Sequence, residues 1–255
     1  MSGGGGNSVA FTLAEVLITL GIIGVVAAMT MPVLIAKHRA QVLKNQFAKA
    51  YSTSAQQLLA AKTEFGIDEF GKYCISYNAG INKFVNKDEC ISLLDSKVKI
   101  IGKCTYKTPP KTYNMGSNAY VDIGATARPR HLLADGTCYE AIINASILGI
   151  SIDINGPLKG PNALGHDIFS FYITGNDKLT GLQMSGYLND DDVEKGLNDC
   201  AANGNSGSCI ATVGQKGFPC SRTSSQKGNG LGCALFAIKN ICPDDPSKKY
   251  WECLP

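Results

Sequence analysis

One carboxylate near the start of a long apolar stretch is the first feature of this sequence that invites a chemical explanation. The stretch covers residues 10–32, and Glu15 is its only charged residue. A carboxylate inside a bilayer costs about 2.5 to 3.5 kcal/mol on insertion scales. Because an unpaired charge is so unfavourable there, the presence of Glu15 in this stretch needs a physical reason.

The cysteines are the second set of residues that could do chemistry. All ten lie beyond residue 73, neighbours are at least nine residues apart, and no pair has the C-x-x-C spacing of zinc ribbons or thioredoxin-like sites. This pattern favours disulfides in an oxidising compartment over free thiols or metal ligands. The disulfide candidates are Cys74, Cys90, Cys104, Cys138, Cys200, Cys209, Cys220, Cys233, Cys242 and Cys253.

Residues 153–171, DINGPLKGPNALGHDIFSF, contain the oxygen-bearing side chains that a calcium ion prefers. The candidate ligands are Asp153, Asn155, Asn162 and Asp167. Their spacing is not that of an EF-hand, and the closing bidentate Glu is missing. Asn-Gly and Gly-Pro-Asn turns explain the same residues as a structural loop. We therefore expect no cofactor, and calcium bound at this loop is the alternative.

One group of residues resembles a catalytic set. His131, Asp135 and Cys138 lie close together in the sequence and have the types found around a reactive thiol. A catalytic cysteine needs a reduced, electropositive setting, whereas Cys138 lies in a strand-like segment of a cysteine-rich region. The sequence has no G-x-S-x-G, H-E-x-x-H or phosphate-loop motif. We therefore expect that the protein is not an enzyme.

The charge distribution says little about partners. The formal net charge is +3 at pH 7, and no run of five or more basic residues occurs. Such a thin spread of positive charge gives little support for a nucleic-acid surface. We expect that nucleic acid is not a partner.

The elements that must position these residues begin with a long N-terminal helix. Residues 16–36 contain no Asp, Glu, Lys or Arg, and their length is close to the roughly 20 residues that a helix needs to cross the hydrocarbon core. A mostly apolar stripe continues beyond them at helical spacing, formed by Leu43, Phe47, Tyr51, Ser54 and Leu58. The pattern predicts one helix from about Thr12 to about Lys62, transmembrane in its first half and amphipathic in its second.

Three other interpretations of the apolar stretch remain open. A cleavable signal peptide has a candidate cleavage site at residues 26–28, Val-Ala-Ala, but the leader lacks the usual Lys or Arg. A plain signal anchor does not explain the carboxylate of Glu15. A buried core helix is the third interpretation, although about 20 apolar residues in a row is long for one.

The rest of the chain predicts a sheet and a cysteine-rich tail. One short helix is expected near residues 88–96, within an irregular connection over residues 74–118. Strands are predicted where β-branched and aromatic residues cluster between turns, at residues 119–124, 137–145, 147–154, 168–174 and 178–184. Six cysteines from Cys200 onwards allow 15 pairings and indicate a tail that depends on disulfides. The predicted fold class is α+β, with the amphipathic half of the helix packed on an antiparallel sheet.

Residues 10–32 resemble the N-terminal signature of type IV pilins and of the pseudopilins of type II secretion systems. The shared features are a short leader, a cleavage point before a Phe, a Glu four residues after that Phe, and an apolar helix with a Gly and a Pro. The matching residues are Phe11, Thr12, Leu13, Glu15, Gly24 and Pro32. The resemblance implies cleavage between Ala10 and Phe11 by prepilin peptidase, followed by N-methylation of Phe11.

The resemblance also implies how the helix assembles. Cleavage turns the Phe11 nitrogen into an ammonium group, which pairs with Glu15 of a neighbouring subunit and sets the register of the helices. Gly24 and Ala28 form a small-xxx-small pair that lets helices approach closely, and Pro32 removes an amide that would otherwise bond within the helix. We expect this segment to loosen on assembly, as it does in related filaments.

The sequence departs from the family pattern in two places. Ala10 stands where the family usually has Gly, and the leader has no basic residue. Lys37 and Arg39 follow the apolar span, so the positive-inside rule alone would put that end in the cytoplasm. The cysteines outweigh this bias, because disulfides require the oxidising side of the membrane.

These observations predict three parts: a leader at residues 1–10, a transmembrane and assembly helix at residues 11–62, and an extracytoplasmic disulfide-rich domain at residues 63–255. The resemblance implies a structural subunit of a type IV pilus or of a secretion pseudopilus. Its expected partners are prepilin peptidase, other pilin or pseudopilin subunits, and the bacterial inner membrane before assembly. The alternative is a monomeric, membrane-anchored or secreted disulfide-rich binding protein that uses its N-terminus only for export.

Overall fold

The computed structural model describes residues 12–66, 68–74, 76–78, 83–84, 86–115, 129–144, 147–173, 177–181, 220–225 and 228–254. The described residues form two compact units, one that ends at Gln41 and one that begins at Val42. Several predictions concern residues outside the described ranges: the cleavage site Ala10 and Phe11, the strand at residues 119–124, and Cys200 and Cys209.

The long helix predicted near the N-terminus is present. Helix α1 is Leu13–Phe65, so it begins within one residue of the predicted start and runs three residues past the predicted end. It stops at Gly66, whose φ of 69° lies in the left-handed region that glycine adopts without a steric penalty. The Gly66 N–H donates to the Lys62 carbonyl at 3.0 Å and so closes the last turn.

The first unit is the apolar half of α1. Of residues 12–41, all are exposed except Ala27 and Ala40, which are partly covered. Leu17, Ile18 and Ile23 each expose about 60% of their surface. Among the described residues, α1 is the one helix that is long and apolar enough to span a membrane. Pro32 lies inside it, and the helix continues on both sides.

The second unit includes the amphipathic half of α1. One stripe of this half is buried, at the three- and four-residue spacing of a helix face: Leu43, Phe47, Ala50, Ser54, Gln57, Leu58 and Ala61. Four of the five predicted stripe residues are in this set. The fifth, Tyr51, lies at its margin and is partly exposed.

Two short helices and a small strand pair follow α1. Helix α2 is Phe70–Cys74, strands β1 (Tyr77–Asn78) and β2 (Lys83–Phe84) pair antiparallel, and helix α3 is Lys87–Ser96. The predicted helix at residues 88–96 therefore corresponds to α3. A disulfide between Cys74 and Cys90 connects α2 to α3.

A six-stranded antiparallel sheet makes up most of the second unit. The strands are β3 (Ile100–Lys103), β4 (His131–Leu133), β5 (Cys138–Asn144), β6 (Ile147–Asp153), β7 (Ile168–Ile173) and β8 (Leu179–Gly181). Each strand pairs with the next along the chain, so the order in the sheet is the order in the sequence. The fold is α+β, as predicted.

The observed strands match the predicted ones at the centre of the sheet and differ from them at its edges. Strands β5, β6 and β7 match the predicted segments to within one residue at each end. Strand β8 covers three residues of the predicted 178–184, and residues 182–184 lie outside the described ranges. Strands β3 and β4 were not predicted, because they are only four and three residues long and show no buried face.

Other elements pack against strands β7 and β8 and bury most of their side chains. All six side chains of β7 are buried, so both faces of this strand are packed. Helix α4 (Cys233–Lys239) contacts β7 and β8. A Cβ atom at Gly181 would overlap the backbone nitrogen of Leu235, so glycine permits the close approach of α4 to β8. A 3₁₀ turn at Tyr250–Glu252 ends the described chain.

Candidate functional site

Glu15 lies at the start of the apolar helix, and its carboxylate bonds within its own chain. Glu15 Oε2 accepts hydrogen bonds from the Thr12 backbone N–H at 2.8 Å and from the Thr12 hydroxyl at 2.9 Å. The Glu15 N–H in turn donates to Thr12 Oγ1 at 3.2 Å. This reciprocal arrangement is a capping box, which satisfies two N–H groups at the helix start. In the described chain Glu15 therefore already has partners.

The capping box could have been found in the sequence. Thr12 and Glu15 stand three residues apart, directly before an apolar run, and this T-x-x-E pattern marks a helix N-terminus. The predicted partner of Glu15, the Phe11 nitrogen, lies outside the described residues.

The small residues of the apolar helix leave open space beside them. Among the described residues, a Cβ atom added at Gly21 or Gly24 would meet no other atom within 4 Å. Thr19 and Thr30 donate their hydroxyls to carbonyls of the preceding turn, Val16 O and Val26 O, both at 2.9 Å. The surface around Gly24 is thus apolar and free of contacts with the described part of the chain, which suits close approach by another helix.

Eight of the ten cysteines form four disulfides in the described part of the chain. The pairs are Cys74–Cys90, Cys104–Cys138, Cys220–Cys233 and Cys242–Cys253. The prediction of disulfides is confirmed for these eight. The last pair encloses residues 243–252 near the C-terminus.

The candidate thiol set does not contain a thiol. The sulfur of Cys138 is bonded to Cys104. Asp135 Oδ2 accepts a hydrogen bond from Lys49 Nζ at 2.8 Å, and Asp135 Oδ1 accepts from the Thr137 hydroxyl at 2.7 Å. His131 Nε2 lies 3.8 Å from Glu140 Oε2. Each of the three residues therefore has a different partner.

Aromatic residues of α1 contact the sheet and the C-terminal turn. The Phe47 ring lies 4.6 Å from that of Phe169, 5.7 Å from that of Phe171 and 5.5 Å from that of Trp251, measured between centroids. The Tyr51 hydroxyl donates to the Leu179 carbonyl at 3.2 Å. Aromatic pairs at these separations add to the energy of area burial.

Polar contacts connect the later part of α1 to other elements. Buried Gln57 donates to the Tyr139 hydroxyl at 2.6 Å and to the Leu94 carbonyl at 2.9 Å. Lys62 Nζ lies 2.8 Å from the carboxylate of Asp177, which also accepts the backbone N–H groups of Gly71 and Phe70 at the start of α2. Sequence reasoning missed Asp177, because its partners lie more than 100 residues away.

The C-terminal aromatic pair belongs to the core. Tyr250 is fully buried and donates its hydroxyl to the Gly165 carbonyl at 2.5 Å, and Trp251 is 6% exposed. Trp251 contacts Phe47 and Phe169. These two residues therefore pack in the interior of the second unit.

The oxygen-rich loop at residues 153–167 is held by its own hydrogen bonds. Asp153 accepts the N–H groups of Asn155 and Gly156 on one oxygen and the Tyr106 hydroxyl on the other, at 2.8 to 3.2 Å. The two oxygens of Asp167 accept the N–H groups of Asn162 and Ala163, at 2.8 and 2.7 Å. Every carboxylate oxygen of the predicted ligand set therefore faces a donor.

The side-chain oxygens of the four candidate calcium ligands differ in their hydrogen bonding. Calcium takes six to eight oxygen ligands, and here only the side-chain oxygens of Asn155 and Asn162 are buried without a hydrogen bond. In the described part of the chain, no group of three or more His, Cys, Asp and Glu side chains is arranged to hold a metal ion.

Burial perturbs both carboxylates of this loop. Burial raises the pKa of Asp153 to about 6, against the lowering effect of the Tyr106 hydrogen bond. Burial also raises the pKa of Asp167 to about 7, and the nearby charge of Asp153 adds to this rise. Two buried acids that repel each other favour protonation of one of them near neutral pH.

Comparison of the chain with protein-family models, with curated proteins and with solved structures finds no match. The assignment of a function therefore depends on the N-terminal residues and on the two units described above.

Proposed function

We propose that this chain is a pilin-like structural subunit of a type IV pilus or of a type II secretion pseudopilus. In this proposal prepilin peptidase cuts between Ala10 and Phe11, Phe11 is N-methylated, and the helix polymerises with other pilin or pseudopilin subunits. Before assembly the subunit lies in the bacterial inner membrane with its disulfide-bonded domain in the periplasm. The observation that carries the proposal is an exposed, predominantly apolar helix half with one carboxylate at its start.

The exposed apolar surface needs a cover that the described chain does not supply. Moving one Leu, Ile or Val side chain out of water contributes about 1.5 to 3 kcal/mol. The first unit exposes more than ten such side chains, including Leu17, Ile22 and Val33. Lipid covers them before assembly in our proposal, and the helices of neighbouring subunits cover them afterwards.

We also propose that the second half of α1 packs on the sheet as one α-on-β layer. The support comes from the contacts of Phe47 with Phe169 and Phe171, from the Tyr51 hydrogen bond to Leu179, and from the ion pair between Lys49 and Asp135. Such a layer gives the subunit a rigid domain attached to its assembly helix.

The capping box refines the role of Glu15. Thr12 supplies hydrogen bonds to the carboxylate but no positive charge. Cleavage adds an ammonium group at Phe11, and a charge-assisted bond from a neighbouring subunit is about twice as strong as a neutral one. Glu15 therefore exchanges a weak local partner for a strong intermolecular one when the register is correct. A helix in the wrong register leaves both charges unpaired in an apolar setting, which is costly.

The test compares fibre formation by Glu15→Gln and Glu15→Ala subunits with that of the unaltered chain, in cells that supply prepilin peptidase. We expect at least a tenfold loss of chain in sheared fibres for both variants, because one lost charge pair of about 1.4 kcal/mol changes an equilibrium tenfold. Glu69→Gln is the matched control, since that exposed carboxylate pairs only with Lys72 on the surface. Normal leader removal with normal fibre yield in both Glu15 variants would contradict the proposal.

The alternative function remains a monomeric disulfide-rich binding protein. The observation that favours it is that the second unit, with its sheet and disulfides, is compact by itself. Mass spectrometry of the mature N-terminus separates the two functions. N-methylated Phe11 supports the filament subunit, whereas a chain that begins at Met29, after the Val-Ala-Ala site, supports the secreted protein.

We further propose that hydrogen bonds, and not a resident cation, hold the loop at residues 153–167. The basis is the set of N–H groups directed at Asp153 and Asp167. Dialysis of the full chain in detergent against EDTA should leave its thermal midpoint unchanged, and added CaCl₂ should not raise it. A midpoint that rises with micromolar calcium but not with magnesium would show that the loop binds calcium.

A further inference from the structure

Between Glu15 and Glu64, helix α1 carries cations but no carboxylate. From residue 16 to residue 63 the sequence contains no Asp or Glu. The cations in the same range are Lys37, Arg39, Lys44, Lys49 and Lys62. Each of them must therefore find its counter-charge on another element, in the solvent or on a partner.

Two of these cations are paired within the second unit. Lys49 Nζ lies 2.8 Å from the carboxylate of Asp135, and Lys62 Nζ lies 2.8 Å from that of Asp177. Lys37, in the first unit, has no ion pair with any carboxylate in the described ranges. The described fold thus supplies a counter-charge to cations in the second half of α1 and none to Lys37.

The basic residues of the first unit form a short collar, which we define as Lys37, His38 and Arg39. All three are exposed. Successive residues of an α-helix are turned by about 100°, so Lys37 and Arg39 project from nearly opposite sides of α1. A partner on one side of the helix reaches one of these two charges, whereas a medium that surrounds the helix reaches both.

The basic collar lies one membrane thickness from the other end of the apolar run. Residues 16–36 contain no Asp, Glu, Lys or Arg. At 1.5 Å per residue they extend about 32 Å along the helix axis. The hydrocarbon core of a bilayer is about 30 Å thick. With Glu15 at one boundary of that core, the collar lies at the opposite boundary, where the lipid phosphates are, and the long stems of Lys and Arg carry their charges outward to them.

We propose that the basic collar binds the headgroup phosphates of anionic phospholipids and so selects these lipids around the helix. The inference rests on the membrane position in the proposed function, and it applies equally to a membrane-anchored monomer. Lipid headgroups surround a spanning helix, so they reach Lys37 and Arg39 at the same time, which a carboxylate of one neighbouring subunit does not. Anionic headgroups attract Lys and Arg beside a membrane span because their phosphate charge is not cancelled by a cation of the same lipid.

Lipid selectivity tests the collar directly. The full chain is reconstituted in phosphatidylcholine vesicles that contain a trace of spin-labelled phosphatidylglycerol or of spin-labelled phosphatidylcholine. Electron spin resonance measures the fraction of each label that is slowed beside the helix. We expect the unaltered chain to favour phosphatidylglycerol about fivefold. The preference should shrink in about 1 M NaCl, where charges are screened over about 3 Å.

Three variants assign the preference to the collar. Lys37→Gln with Arg39→Gln should reduce it to within about 1.5-fold of parity, because both charges are lost. Lys37→Arg with Arg39→Lys keeps both charges and should retain it. Lys72→Gln with Lys249→Gln is the control of equal charge change, since those exposed lysines form ion pairs on the surface of the second unit. Urea unfolding of the second unit shows that each variant folds.

The outcomes separate this inference from the proposed function. A preference for phosphatidylglycerol that depends on Lys37 and Arg39 supports the inference. Equal slowing of the two labels, retention of the preference by the glutamine pair, or an equal loss in the control overturns it while the membrane span stands. Unchanged selectivity with a loss of sheared fibres would instead assign the collar to a carboxylate of a neighbouring subunit. Absence of a slowed component for either label would remove the membrane span, and with it both the proposed function and this inference.

Discussion

The two halves of helix α1 are built from one continuous run of helical residues, but their apolar side chains have opposite surroundings. Before Gln41 every Leu, Ile and Val is exposed, whereas after Val42 the residues Leu43, Phe47 and Leu58 are buried. The more apolar half is therefore the one that the rest of the described chain leaves uncovered. Apolar composition alone does not determine burial.

The polar residues of the two halves differ in the same way. Glu15 bonds to Thr12, three residues away, so its hydrogen bonds need only the local helix. Gln57 and Lys62 bond to Tyr139 and Asp177, which are brought close by the fold of the second unit. Glu15 therefore forms local hydrogen bonds, whereas Gln57 and Lys62 depend on tertiary structure for their partners.

Substitution of Phe47 by Ala should have the largest effect. Its ring contacts three other aromatic rings, and loss of a buried Phe costs about 3 to 5 kcal/mol of unfolding free energy. Leu17→Ala, in the exposed half of the same helix, is the matched control and should leave that free energy unchanged. Urea unfolding of the full chain in detergent, followed by near-UV circular dichroism, measures both. Equal losses of unfolding free energy from the two substitutions would contradict the difference in burial between the two halves of α1.

Replacement of a disulfide by a pair of alanines should cause the next largest loss of unfolding free energy. Loss of Cys104–Cys138, which encloses 34 residues of sequence, should cost about 3 to 4 kcal/mol, and loss of Cys242–Cys253, which encloses 11, slightly less. The difference arises because a longer loop gains more freedom in the unfolded chain. Unfolding midpoints in urea rank the two variants, while the far-UV signal of the apolar helix half serves as the internal control. A larger loss from the shorter loop would contradict this ranking.

The second unit should become less stable as pH rises through the range in which its buried acids ionise. The pKa values of Asp153 and Asp167 are raised to about 6 and about 7, so between about pH 4 and pH 7 the folded state holds more protons than the unfolded state. The free energy of unfolding therefore falls across that range by several kcal/mol and levels off above it. Urea titrations at pH 4.5, 6 and 8 measure the slope.

The control for this pH dependence is Asp167→Asn. The variant loses one ionisable group and one acceptor of an N–H bond, so it should be less stable at pH 4.5 and should show a shallower dependence on pH. A slope equal to that of the unaltered chain would exclude Asp167 as its source.

Substitution of Thr12 by Ala should have the smallest effect on the second unit. Loss of an N-cap side chain costs about 1 kcal/mol of local helix stability. Because Thr12 bonds only to Glu15 and to the first turn, amide exchange should quicken at the helix start while the urea midpoint of the disulfide-bonded unit stays the same. A shifted midpoint would mean that the two halves of α1 unfold together.

Much of the fold was predictable because its signals are local. The helix boundaries follow from a long apolar run and an amphipathic stripe, and strands β5, β6 and β7 follow from β-branched and aromatic clusters between turns. Strands β3 and β4 were not predicted, because two strands this short are stable only when they extend a larger sheet. Here β4 pairs with β5, and β3 pairs with β4. The Thr12–Glu15 capping box was readable in the sequence and was overlooked.

The sequence by itself determined the elements whose energy comes from neighbours along the chain: the apolar helix, its cap, the turn at Gly66 and the central strands. Only the tertiary structure decided which cysteines pair, which carboxylates are buried, and that Trp251 packs against Phe47. The physical reason is that these contacts join residues tens to hundreds of positions apart. Their formation depends on the closure of long loops by the whole fold, which no local pattern of residues encodes.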